Sequence, residues 1–125
     1  MMRQVVIVDD DKDPAAAIYL ALQHEGPMSE WEPYLASACA KDGSVEIVRF
    51  YDADSFKDWL VDQKQIDTMF IDGKLGRCQH GMDVLLALEA FKLIPKHLYF
   101  CSGDYLMNSA MREYASKNCL AIEIH

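Results

Sequence analysis

Five short apolar runs, separated by segments of helical period, limit what this 125-residue chain can fold into more than any other feature. The runs are Gln4–Val8, Val45–Phe50, Thr68–Ile71, Leu98–Cys101 and Leu120–Ile124. They are rich in Val, Ile, Phe and Tyr, whose side chains suit a pleated surface. The first and third are almost wholly apolar, as expected of parallel strands covered on both faces. Between the runs lie helix signals. Asp13-Pro14 offers an N-cap and a proline at the first helical position, with Ile18 and Leu22 one turn apart. Ser55-Phe56-Lys57-Asp58 has the form of a capping box, and Phe56, Trp59 and Leu60 make an inward stripe. Leu85, Leu88 and Phe91 form a second stripe with Pro95 just beyond it, and Met107, Met111 and Tyr114 a third. Strand alternating with helix predicts a doubly wound α/β fold: a five-stranded parallel sheet with right-handed crossovers and helices on both faces. The length fits one domain over residues 1–125, and a hydrophobic fraction of 51% can fill its core.

Residues 26–44 depart from that economy. Gly26-Pro27 breaks the first helix and Asp42-Gly43 turns the chain into the second strand. Between them Trp31, Tyr34, Leu35 and Ala38 fall at i, i+3, i+4 and i+7, which predicts an additional amphipathic helix. Such a helix packs on the domain's own edge or presents an aromatic face to a partner or a second copy of the chain, as in a homodimer.

A net charge of −8 argues against a nucleic-acid surface, which needs clustered Lys and Arg. No apolar run reaches the roughly 20 residues of a membrane span, and the opening residues do not read as a signal peptide. Cys39, Cys78, Cys101 and Cys119 show no paired spacing, which suits a reducing, cytoplasmic compartment. His24, His80 and His97 have no ligand spacing with one another and read as surface or loop residues.

The polar residues that matter sit where strands end. Asp9 and Asp10 follow the first run, Asp72 the third and Ser102 the fourth, while His125 ends the fifth. In an open parallel sheet these positions share the carboxyl edge, where ligands bind at the topological switch point. Three carboxylates brought together there oppose one another's ionisation unless a cation compensates, and hard oxygen donors suit Mg²⁺. Such a site can orient a phosphoryl group for in-line attack by a carboxylate, with Ser102 bonding a phosphoryl oxygen and Gly103 leaving room.

Val5-Val6-Ile7-Val8-Asp9-Asp10, Met69-Phe70-Ile71-Asp72, Gly81-Met82-Asp83-Val84-Leu85-Leu86 and Tyr99-Phe100-Cys101-Ser102-Gly103 together resemble CheY-like receiver domains of two-component signalling. The resemblance covers almost the whole chain outside the insertion. It implies the flavodoxin-like strand order 2-1-3-4-5, with Asp9, Asp10, Asp72 and the main-chain carbonyl of Lys74 holding Mg²⁺. Asp72 is then the phosphoacceptor, taking its phosphoryl group from a histidine kinase or phosphotransfer protein. Ser102 moves toward that group, and the signal leaves through a downstream protein target.

Three departures accompany the likeness. The family's lysine at the end of the fifth strand is replaced by His125, which can stand in for it only when protonated. Ile122 occupies the place of a frequent switch aromatic, and the loop Lys74-Leu75-Gly76-Arg77-Cys78-Gln79-His80 is one residue longer than usual. A Lys74–Asp104 pair at the pocket mouth is a further candidate, weighed against a merely solvated pair. Two rivals stay open. One is a pseudo-receiver that binds proteins without phosphorylation. The other is a haloacid-dehalogenase-type phosphatase using Asp9 as nucleophile and Asp11 as general acid; it needs a lysine and an acidic pair after a later strand, whereas Leu120–Ile124 ends in histidine with no acidic pair.

Overall fold

The computed structural model describes residues 3–10, 31–33, 37–40, 45–75 and 79–125. Its strands are β1 (Arg3–Val8), β2 (Trp31–Pro33), β3 (Ser37–Ala40), β4 (Val45–Phe50), β5 (Thr68–Ile71), β6 (Lys74–Leu75), β7 (Gln79–His80), β8 (His97–Phe100) and β9 (Glu123–Ile124). The helices are α1 (Ala53–Leu60), α2 (Gly81–Phe91) and α3 (Tyr105–Lys117). The helix expected after Asp13-Pro14 lies outside the described residues.

The main sheet runs β2-β3-β4-β1-β5-β8-β9. Its five parallel strands, β4-β1-β5-β8-β9, have the expected 2-1-3-4-5 order, so the fold is flavodoxin-like. Alternation along the strands divides the core. Val6, Val8, Met69, Ile71 and Leu98 face α1, α2 and α3, whose Phe56, Leu60, Leu85, Leu88 and Met111 are buried against them. Val5, Ile7, Ile47 and Phe70 form the opposite face, with Phe70 stacked on Tyr99 at 4.7 Å.

The insertion is not helical where it is described. β2 and β3 pair antiparallel, and β3 continues antiparallel onto β4, extending the sheet by two strands. The segment instead takes its backbone hydrogen bonds from the β4 ladder, and Pro33 stands on the edge strand β2, which tolerates a missing N–H. The aromatic-face expectation concerns side chains outside the described ones.

Two other boundaries moved for local reasons. The cap of α1 is Asp52, whose carboxylate accepts from the Ser55 N–H at 2.7 Å, so Ser55 is already inside the first turn. In the last run only Glu123 and Ile124 join the sheet. Leu120 instead closes the end of α3: its N–H donates to the Ala115 carbonyl at 2.9 Å while Cys119 takes a left-handed φ of 53°. Phe91, expected to face inward, is 46% exposed at the end of α2.

Candidate functional site

The sheet ladder continues past the strand ends and thereby gathers the acidic residues. Asp9 N–H donates to the Phe50 carbonyl (3.0 Å), Asp72 N–H to Val8 (2.9 Å) and Cys101 N–H to Ile71 (3.0 Å). These bonds bring the ends of β4, β1, β5 and β8 level, so the next side chains emerge at one carboxyl edge. Carboxylate oxygens of Asp9, Asp10 and Asp72 lie within 4.8 Å of one another, and all three residues are half-buried.

The electrostatics follow. Burial and then the charge of Asp9 push Asp72 up to about 6; Asp10 and a hydrogen bond with the Asp9 side chain add to this, against an opposing bond from the Lys74 amide. Burial, Asp9 and Asp72 push the Cys101 thiol up to about 12, so it stays protonated and is no nucleophile. Three hard oxygen donors held this close together are a donor set that suits Mg²⁺.

Ser102 enters from the end of β8. Its N–H donates to Asn108 Oδ1 at 3.1 Å, Asn108 Nδ2 donates to its carbonyl at 2.8 Å, and its Oγ accepts from the Asp104 N–H at 3.1 Å. A Cβ on Gly73 would stand 3.2 Å from Ser102 Cβ and 2.6 Å from Met107 Cγ, which places Ser102 against the residue after Asp72. Space around Gly103 is open to 4 Å.

The turn after Asp72 is held by the two-stranded β6–β7 ladder, Lys74 opposite His80 and Leu75 opposite Gln79. The Lys74 amide lies 3.5 Å from Asp72 Oδ1 while its side chain is exposed. Among the described residues no ion pair joins Lys74 to Asp104, whose carboxylate instead caps α3 by accepting from the Leu106 and Met107 N–H groups.

His125 is not brought to Asp72. Its N–H donates to the Leu98 carbonyl, its ring stacks on Tyr99 at 4.3 Å, and its Nε2 lies 3.2 Å from His97 Nδ1. His97 is level with Thr68, four residues before Asp72, or roughly 13 Å along the strands. The imidazole leans back along the sheet toward His97 and Glu123, and so does not replace a lysine at the carboxyl edge. Ile122 is 71% exposed.

Three residues at or near the site escaped the sequence reading. Asn108 clamps Ser102 from the first turns of α3. Gln79 ties β7 to α1, accepting from the Ala53 N–H at 2.6 Å and donating to Asp54 at 2.8 Å. Arg49, only 5% exposed, donates to the Asp9 carbonyl at 3.2 Å and lies over the Tyr51 ring at 3.7 Å. A cavity of about 450 Å³ bounded by Arg3, Ile66, Asp67, Lys96 and Ile122 lies at the other, amino edge of the sheet. Burial there favours protonated Asp67, yet hydrogen bonds from Thr68 and Arg3 win and hold it below the ordinary carboxylate range.

No protein-family model matches the chain, and no curated protein matches it. Solved structures do. The signal receiver domain of a protein assigned as a Luxo repressor from Vibrio parahaemolyticus superposes with TM-score 0.58 at 14% identity, over 99% of this chain and 77% of that one. The signal receiver domain of a modulated diguanylate cyclase from Desulfovibrio desulfuricans G20 gives 0.55 at 16% identity, over 99% and 80%. A fusion carrying the yeast Spc42 trimeric coiled coil gives 0.59 at 14%, over 98% and 67%. The fold is therefore receiver-like. No described helix is long and apolar enough to cross a membrane.

The raised Asp72 carboxyl has a consequence for stability. Its folded pKa of about 6 exceeds the ordinary 3.8, so ionising it disfavours the folded state. The stability it contributes is complete below about pH 4 and is lost as pH rises through about 6. Asp72→Asn is expected to stabilise the EDTA-treated protein by about 1–2 kcal/mol at pH 7.5, allowing for solvent screening of a half-exposed group. In urea melts the advantage disappears below about pH 4.

Proposed function

We propose that this chain is a phospho-accepting receiver that takes a phosphoryl group onto Asp72 and signals by protein contact. The observation that carries the reading is the convergence of Asp9, Asp10 and Asp72 at one carboxyl edge, beside the Gly73–Ser102 contact. The donor would be a phosphohistidine of a kinase or phosphotransfer protein. An Asp72 carboxylate oxygen attacks phosphorus, the P–N bond breaks, and its electron pair stays with the leaving imidazole, which is neutral once its ring holds one proton. Asp9, Asp10, Asp72 and the Lys74 main-chain carbonyl would hold Mg²⁺, which when bound offsets phosphoryl charge. Ser102 Oγ, now accepting from the Asp104 N–H, is free to donate its own proton to a phosphoryl oxygen. The added charge of roughly −1.5 to −2 then reorganises the β8–α3 loop and the surface it presents to a target. The chain would turn over only its own phosphoryl group; neither nucleic acid nor membrane enters the scheme.

One observation favours the pseudo-receiver alternative: His125 is engaged with His97 and Glu123, leaving the family's lysine without a substitute from β9. Calorimetry with Mg²⁺ tests the receiver reading. One ion per wild-type chain is expected, with binding weakened at least about tenfold, or 1.4 kcal/mol, in Asp10→Asn. Absence of Mg²⁺ binding would favour the pseudo-receiver. Sustained hydrolysis of p-nitrophenyl phosphate would move the reading to the phosphatase.

A further inference from the structure

The geometry points to a second metal site, formed by His97, Glu123 and His125 at the β8–β9 end of the sheet and selective for a divalent ion of the zinc class. It rests on different residues from the acidic pocket and stands whether or not Asp72 is phosphorylated. His97 Nδ1 lies 3.1 Å from Glu123 Oε2 and 3.2 Å from His125 Nε2, and the last two atoms are 3.7 Å apart. Tetrahedral zinc, with bonds of about 2.0–2.2 Å, holds neighbouring donors about 3.3–3.5 Å apart. The observed separations bracket that spacing.

The strands set the arrangement in advance. His97 and Glu123 are directly opposite across the β8–β9 ladder, and Glu123 and His125 share a face because side chains alternate along a strand. The His125 ring is fixed by stacking on Tyr99, with 9° between the planes, and its carbonyl accepts from Arg112 Nε at 3.2 Å. Hydrogen bonding alone serves the trio poorly. His97 Nδ1 faces both Glu123 and His125, yet it carries at most one proton to donate. A metal engages all three donors together.

Donor chemistry separates this site from the acidic pocket. Two imidazoles and one carboxylate suit zinc and its neighbours, whereas three carboxylates suit Mg²⁺. The side chains are 36–59% exposed, so a fourth position is open to water or an added ligand. The β8–β9 ladder has only two residue pairs, and a metal held by His97 on one side and Glu123 and His125 on the other would clip it shut.

The test is calorimetric titration of the full chain with Zn²⁺ in saturating Mg²⁺, alongside thermal melts. One equivalent should bind, and the melting temperature should rise by about 5–10 °C at roughly 100 times Kd. His97→Asn, Glu123→Gln and His125→Asn should each weaken binding at least tenfold, roughly the least that losing even an outer-shell partner costs. Asp72→Asn should leave it unchanged. Circular dichroism confirms that each variant is folded, and a Co²⁺-loaded sample should show d–d bands without a thiolate charge-transfer band. Absence of saturable Zn²⁺ binding, equal binding by the three folded variants, loss in Asp72→Asn, or a cobalt–thiolate band would each overturn the assignment.

Discussion

Phe56→Ala is expected to lower the unfolding free energy by about 3–5 kcal/mol. Phe56 is fully buried on α1, with its ring 5.9 Å from that of Phe50 and 6.0 Å from that of Trp59. Removing it opens a cavity between helix and sheet and takes away two aromatic contacts as well as the buried area. The neighbours have little freedom to fill the space, since Leu60 and Leu85 are themselves fully buried. A domain of this size has about 5–15 kcal/mol to lose, so the variant should unfold at much lower urea. Equilibrium urea melts check this; a loss below about 1 kcal/mol would mean that the α1 face is not packed as described.

Gly81→Val is expected to cost about 2–3 kcal/mol and to weaken Mg²⁺ binding at the same time. A Cβ at Gly81 would lie 2.5 Å from the main-chain oxygen of Asp72 and 3.0 Å from Ile71 Cγ2. The methionine end at 2.6 Å, Met111 Sδ, can swing aside, but the Asp72 backbone cannot do so without moving the carboxylate it carries. The same close approach lets the Gly81 N–H donate to the Gly73 carbonyl at 2.9 Å, which ties the start of α2 to the turn after Asp72. Leu86→Ala on the same helix is the control. Leu86 is 46% exposed, and its loss should change stability by less than about 0.5 kcal/mol with Mg²⁺ affinity intact. Paired melts and calorimetry separate the two effects.

What could be read in the sequence was local. The Val45–Phe50 and Thr68–Ile71 strands stand where their apolar runs lie; Asp9, Asp10 and Asp72 meet, and Ser102 lies near Gly73, because each stands one or two residues past the end of a strand of one parallel sheet. Features that depend on register or on competition between local signals were less legible. The helical spacing from Trp31 to Ala38 yielded to pairing along β4. Ser55 looked like a cap until Asp52 took that place, and Leu120 looked like strand until it closed α3. His97 appeared unrelated to other ligands because 28 residues separate it from His125, and only the parallel β8–β9 register makes them neighbours. That register also draws His125 away from Asp72. Asn108 and Gln79 carried no motif, since their roles come from where α3 begins and where β7 pairs with β6.

The measurement closest to the central claim is intact-mass spectrometry after incubation with acetyl phosphate and Mg²⁺, comparing wild type with Asp72→Ala. One added phosphate on the wild type, absent from Asp72→Ala and abolished by EDTA, is the expected result. An unmodified wild type under saturating Mg²⁺, or equal modification of both proteins, would contradict phosphorylation at Asp72.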